Sequence, residues 1–145
     1  MQRRESTDLV DGLLQDSESA RAFIKRIRQT PRMPESFCNA YMACAMWASD
    51  DDDGNSLDGV DASISTDAWK VVRADCDRFW KQNWKMIEND ASQAGHDFFL
   101  TRNGHGAGFW DSDWPEADGK ALTAAAHAFG EQHFYIGYDG KIHAE

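Results

Sequence analysis

Three patterns of apolar and polar positions follow one another along this chain. The first is helical. Between residues 7 and 29, Ala20, Phe23, Ile24 and Ile27 recur on one face, while Arg21, Lys25 and Arg28 lie on the other. This spacing predicts a helix over 7–29, broken near Ser17. Pro31 and Pro34 end it, because proline cannot continue a helix and biases the residue before it away from αR. Glu35 to Ala48 predicts a second helix, with Phe37, Tyr41, Cys44, Ala45 and Ala48 on one face and Pro34 at its first turn. A third begins at a Ser65 or Thr66 cap and carries a stripe of Trp69, Val72, Cys76, Phe79, Trp80, Asn83, Trp84 and Ile87. It is expected to run to Ala94, with Gly95 as the left-handed residue that closes it.

The second pattern is a loop. Residues 49–64 are rich in Asp, Gly and Ser and include Asp50-Asp51-Asp52-Asp53-Gly54-Asn55. The third is strand-like. Asp97 to Thr101 reads as a strand, Arg102 to Gly106 as a turn built on Asn103-Gly104, and Ala107 to Trp110 as the returning strand. Asp113-Trp114-Pro115 breaks the pattern. An alanine-rich helix is expected over Glu116 to Phe129, with Leu122, Ala125, Ala126 and Phe129 inward and Gly130 at its end. His133 to Tyr138 reads as a last strand that turns at Asp139-Gly140 into Lys141-Ile142. The expected fold class is therefore α+β, with N-terminal helices packed on a small antiparallel sheet of β-β-α-β-β order.

Composition adds that this is a foldable chain. At 145 residues, 41% hydrophobic and 12% aromatic, it fits one domain with a real core. No apolar run is long enough to span a membrane, and Met1 to Glu5 leads into no apolar stretch of a signal peptide. Three cysteines, Cys38, Cys44 and Cys76, make an odd count without a framework, which suggests reduced thiols and a cytoplasmic location.

Charge changes the picture more. Of a net −10, residues 1–34 carry +2 and residues 35–145 carry −12. The expected organisation is a basic helical N-terminal arm over 1–34 and an acidic α+β domain over 35–145. Such a body repels nucleic-acid phosphates and suits a partner with a basic surface.

Candidate chemistry is mostly excluded. Placing Gly54 at the sixth position of an EF-hand loop puts Ser49, Asp51 and Asp53 at positions one, three and five. Val60 then falls at position twelve, where a bidentate Glu is needed. His105 and Asp111 sit at opposite ends of the expected returning strand and do not converge on a metal, so neither a metal nor another cofactor is expected. Gly104-His105-Gly106-Ala107-Gly108 lacks the Lys-Ser/Thr of a phosphate loop and no helix follows it. Cys76 lies on an apolar stripe and reads as core rather than nucleophile. What remains is a recognition surface: Arg102, Asn103, His105, Trp110 and Asp111 at a rigid hairpin, joined by Asp51, Asp52 and Asp53 of the acidic loop. The plainer reading of the hairpin is that its glycines and aromatics serve packing.

Tyr41 to Ser49, the Asp-rich loop, Gly95 to Asp111, and Phe129-Gly130 through Lys141 resemble small proteins of tailed bacteriophages and prophages. The likeness covers about residues 37–142, is most specific in Gly95–Asp111, and leaves out residues 1–34. It carries over no catalytic residue. It implies a phage accessory protein acting in the bacterial host cytoplasm. The expectation is a non-enzymatic protein that binds and modulates a host protein, such as a defence or nucleic-acid-processing factor. The alternatives are an enzyme using a small-molecule pocket at 102–111, and a self-associating structural or assembly protein.

Overall fold

The computed structural model describes residues 18–111 and 113–145. The chain forms two compact units, Met1–Arg32 and Met33–Glu145. The first contains helix α1, Glu18–Gln29. The part of the expected first helix before residue 18 lies outside the described residues.

The second unit is mainly helical, with α2 (Glu35–Ala48), α3 (Thr66–Ile87), α4 (Ala91–Arg102) and α5 (Glu116–His127), followed by strands β1 (Phe134–Ile136) and β2 (Ile142–Ala144). The class is α+β with a small antiparallel sheet. No described helix is long and apolar enough to cross a membrane.

α2 occupies the range its periodicity predicts and follows Pro34, whose φ of −72° suits entry into a helix. α3 starts where the sequence places it: Ser65 Oγ accepts from the Ala68 N–H at 3.0 Å and satisfies one of the free donors of the first turn. It buries Ala68, Val72, Cys76, Phe79, Trp80, Asn83 and Ile87. α3 does not run on to Ala94. It stops at Ile87, passes through a 3₁₀ turn at Glu88–Asp90, and a new helix begins.

That new helix, α4, overturns two expectations. Residues 97–101 are helical, so the first strand, its hairpin and the β-β-α-β-β order are absent. Ala94, Gly95 and every residue from Asp97 to Arg102 are buried. A helical segment enclosed by protein, as 97–102 is, needs no polar face, and its short apolar run imitates a buried strand. Gly95 is not a terminator either. A Cβ there would lie 2.1 Å from the Phe37 carbonyl oxygen, so the missing side chain lets α4 seat directly on α2. These two helices pack more extensively than any other pair of elements.

The core is a column of rings. Phe37, Phe79 and Phe98 lie nearly parallel, with Phe79 and Phe98 centroids 4.1 Å apart, and Phe109 extends the stack at 5.7 Å from Phe79. Phe129 meets Phe98 edge-on at 5.1 Å. Pairs of this kind add about 0.5–1.5 kcal/mol each beyond the area they bury.

β1 and β2 pair with Tyr135 opposite His143. The turn between them uses Gly140 at φ 77°, as Asp139-Gly140 predicts. On the outer side of β2, Ile142 is bonded: its N–H donates to Ser63 at 2.8 Å, and its carbonyl accepts from Ser65 N–H at 2.9 Å.

Candidate functional site

The expected recognition segment is split among three environments. Arg102 is the first departure. It stands at the end of α4 with its side chain 4% exposed, not at an exposed tip. Its Nε donates to the Gly130 carbonyl at 2.7 Å and Nη2 to the Phe129 carbonyl at 3.1 Å. Nη1 reaches Asp75 Oδ2 at 2.9 Å and the Tyr41 hydroxyl at 3.0 Å. Tyr41 in turn donates to Gln132 Oε1. This cluster ties α2, α3 and α4 to the chain leaving α5. A buried guanidinium is tolerated here because each of its nitrogens has a partner and a carboxylate balances its charge.

Asn103 and Gly104 do carry turn chemistry, but they cap a helix. Gly104 has φ 70°, its N–H donates to the Thr101 carbonyl, and His105 N–H donates to the Leu100 carbonyl. That bond pattern, with glycine in the left-handed region, is the Schellman ending. Asn103 Oδ1 also accepts from Gln132 N–H at 2.9 Å. The Asn103 side chain is therefore engaged within the protein. His105 is exposed beside the Phe99 ring, with centroids 5.9 Å apart.

Trp110 and Asp111 lie elsewhere. They help line a groove of about 460 Å³ between the 104–115 loop and α5, with Trp114, Glu116, Lys120 and His127 also on its walls. Trp110 is 55% exposed. Asp111 accepts from the N–H groups of Gly108 and Asp113, so its carboxylate braces the loop. Its charge raises the pKa of exposed Asp113. Buried Asp97 anchors the far end of the loop by accepting from Trp114 Nε1 at 2.7 Å.

A second groove, about 440 Å³, runs between α2 and α4 and is lined in part by Cys44, Trp47, Gln93 and His96. Burial pushes the Cys44 thiol up to about 12, which leaves it protonated near neutral pH and unsuited to nucleophilic attack. Cys38 and Cys76 are buried and free, as Cys44 is. Burial raises Cys76 far above the ordinary thiol range. Among the described residues no group of three His, Cys, Asp or Glu side chains is placed to hold a metal.

The acidic loop forms the third environment. Asp50 bridges antiparallel to Ser56, making residues 50–56 a tight turn. Asp51 Oδ1 accepts from the N–H groups of Asn55 and Asp53 at 2.8 and 3.0 Å, and these donors hold its pKa below the usual carboxylate range. Asp52 and Asp53 are exposed. Among the described residues no cation forms an ion pair with Asp50, Asp51, Asp52 or Asp53. These four residues face Tyr135 and Ile136 of β1 across a cleft of about 230 Å³. Tyr135, Ile136 and Tyr138 are exposed, the last fully.

Sequence reasoning missed Tyr135 and Ile136 as neighbours of the acidic loop, because more than 80 residues separate them. Alternation along a three-residue strand is too short to reveal an outward face. Comparison with protein-family models, curated proteins and solved structures finds no match to this chain.

Proposed function

We propose that this protein is a non-enzymatic binding protein whose acidic surface engages a basic face of a protein partner. The observation that carries the reading is the state of its charges. Of the eight Lys and Arg in residues 35–145, four are already ion-paired: Arg73 with Glu35, Lys81 with Asp77, and Arg78 and Arg102 sharing Asp75. The Asp50–Asp53 carboxylates have no such partner among the described residues, and they stand beside exposed Tyr135 and Ile136. Unbalanced charge next to exposed aromatic surface suits steering followed by anchoring.

The likeness of residues 37–142 to small phage proteins gives this reading a setting. The partner is then a host protein, such as a defence or nucleic-acid-processing factor, met in the host cytoplasm. A basic partner surface of that kind ordinarily holds nucleic acid, which the acidic body itself would repel.

Capture from bacterial lysate tests the reading when wild type is compared with a triple variant, Asp50→Asn, Asp52→Asn and Asp53→Asn. Proteins held by wild type should be lost from the variant and released by roughly 0.5 M salt, where the screening length falls to a few ångströms. Equal retention by both baits, or retention that ignores salt, would refute it.

A further inference from the structure

The two long sides of the C-terminal hairpin differ. In its antiparallel ladder the N–H and C=O groups of alternate residues point toward the partner strand and those between point away. His133 and Glu145 exchange both backbone bonds, at 3.1 and 2.9 Å, and Gly137 N–H donates to Lys141 at 2.8 Å. Pairing therefore runs through 133, 135 and 137. The backbone groups of Phe134 and Ile136 must face away from β2. On β2 the outward groups of Ile142 are occupied, since Ile142 bonds Ser63 and Ser65. Among the described residues Phe134 and Ile136 have no such partner. β1 thus leaves two outward residues unpaired: Ile136, which is 37% exposed, and Phe134, which is 6% exposed.

The cleft along β1 has an unequal pair of walls. One holds exposed Tyr135 and Ile136, and the other is the Asp50–Asp53 turn. An open edge supplies main-chain donors and acceptors to any extended chain. The carboxylate wall selects among such chains, because it rewards lysine and arginine and repels acids. A second copy of this edge fits poorly, since it would bring another Asp50–Asp53 turn against the first.

We propose that β1 accepts an extended basic segment of a partner protein as an added strand, with the segment's Lys and Arg side chains lying against Asp50, Asp52 and Asp53. The inference rests on the charge reading above and adds the mode of engagement to it.

The probe is a ten-residue peptide with lysine at every second position and valine between, bound to the full chain and followed by fluorescence anisotropy. Two further peptides carry N-methyl groups on one or the other set of alternate residues. Strand addition uses only one set of peptide N–H groups, so one methylated peptide should bind at least tenfold more weakly and the other nearly as well as the parent. Ile136→Pro removes one outward N–H while sparing every β1–β2 bond, and should weaken the parent peptide by a similar factor. Amide exchange at Phe134 and Ile136 should slow when the peptide binds.

Equal binding of all three peptides, with unchanged exchange at Phe134 and Ile136, would overturn strand addition. The charge reading would survive that result if the Asp50→Asn, Asp52→Asn, Asp53→Asn variant still loses the peptide. Binding that the triple variant leaves intact, or no binding at all, would overturn both. Concentration-dependent dimers in light scattering that Ile136→Pro abolishes would assign the edge to a second copy instead and contradict the proposal.

Discussion

All three guanidinium nitrogens of Arg102 meet protein acceptors, whereas the outward N–H and C=O groups of Phe134 and Ile136 meet none among the described residues. The two regions use similar chemistry to opposite ends. At Arg102, charge and hydrogen bonds are turned inward and spent on joining helices. At β1 and the Asp50–Asp53 turn, they are left facing out. Polar residues in a distinctive sequence motif are thus not by themselves evidence of a surface, because a satisfied buried network needs the same residue types.

The comparison breaks first if Arg102 is dispensable. Arg102→Leu should strand Asp75, the Tyr41 hydroxyl and the Phe129 and Gly130 carbonyls, and destabilise the fold by about 3–5 kcal/mol in urea unfolding. A loss under about 1 kcal/mol would place Arg102 at a site with solvent access after all.

Gly95→Ala probes the same interior from the packing side. Helix propensity alone would make it stabilising by about 1 kcal/mol. The Cβ would instead meet the Phe37 carbonyl 2.1 Å away, on backbone that cannot rotate aside. Forced separation of α2 and α4 should outweigh the propensity gain and leave a net loss of about 2 kcal/mol. A stabilised variant would mean that α4 does not seat on α2 as described.

A smaller effect should appear on the acid limb of stability, and it belongs to the outer region. His143 at 2.9 Å and the Lys141 N–H lower the pKa of exposed Asp139, and backbone donors lower that of Asp51. Each depressed value stabilises the fold fully above the ordinary aspartate range of about 4. That contribution fades as pH falls through the lower, folded-state values. Asp139→Asn should flatten the stability-versus-pH curve below about pH 4. An acid limb identical to that of wild type would contradict the pairing.

Much of the helical frame was legible. α2, the Ser65 cap of α3, the start of α5 at Glu116 and the Asp139-Gly140 turn all follow from local rules that need only neighbouring residues. α4 was not, for a reason that also explains the misplaced site. Its residues from Asp97 to Arg102 are all buried, so the amphipathic signal that identifies a surface helix is missing there, and Gly95 looks like a stop when it is a contact. Once 97–101 is a helix, Arg102 and Asn103 become its end rather than a hairpin tip. The acidic loop was visible as a charge run, but its facing strand depends on a tertiary approach between residues 50–53 and 135–136.

Native-state amide exchange on the free protein tests the contrast between a closed interior and an open β1 edge most directly, because it needs no partner. The account predicts strong protection at Gly137, Ile142 and Glu145, whose N–H groups are bonded within the protein, and fast exchange at Phe134 and Ile136. Protection of Phe134 and Ile136 equal to that of Ile142 would show that the edge is already filled and would contradict it.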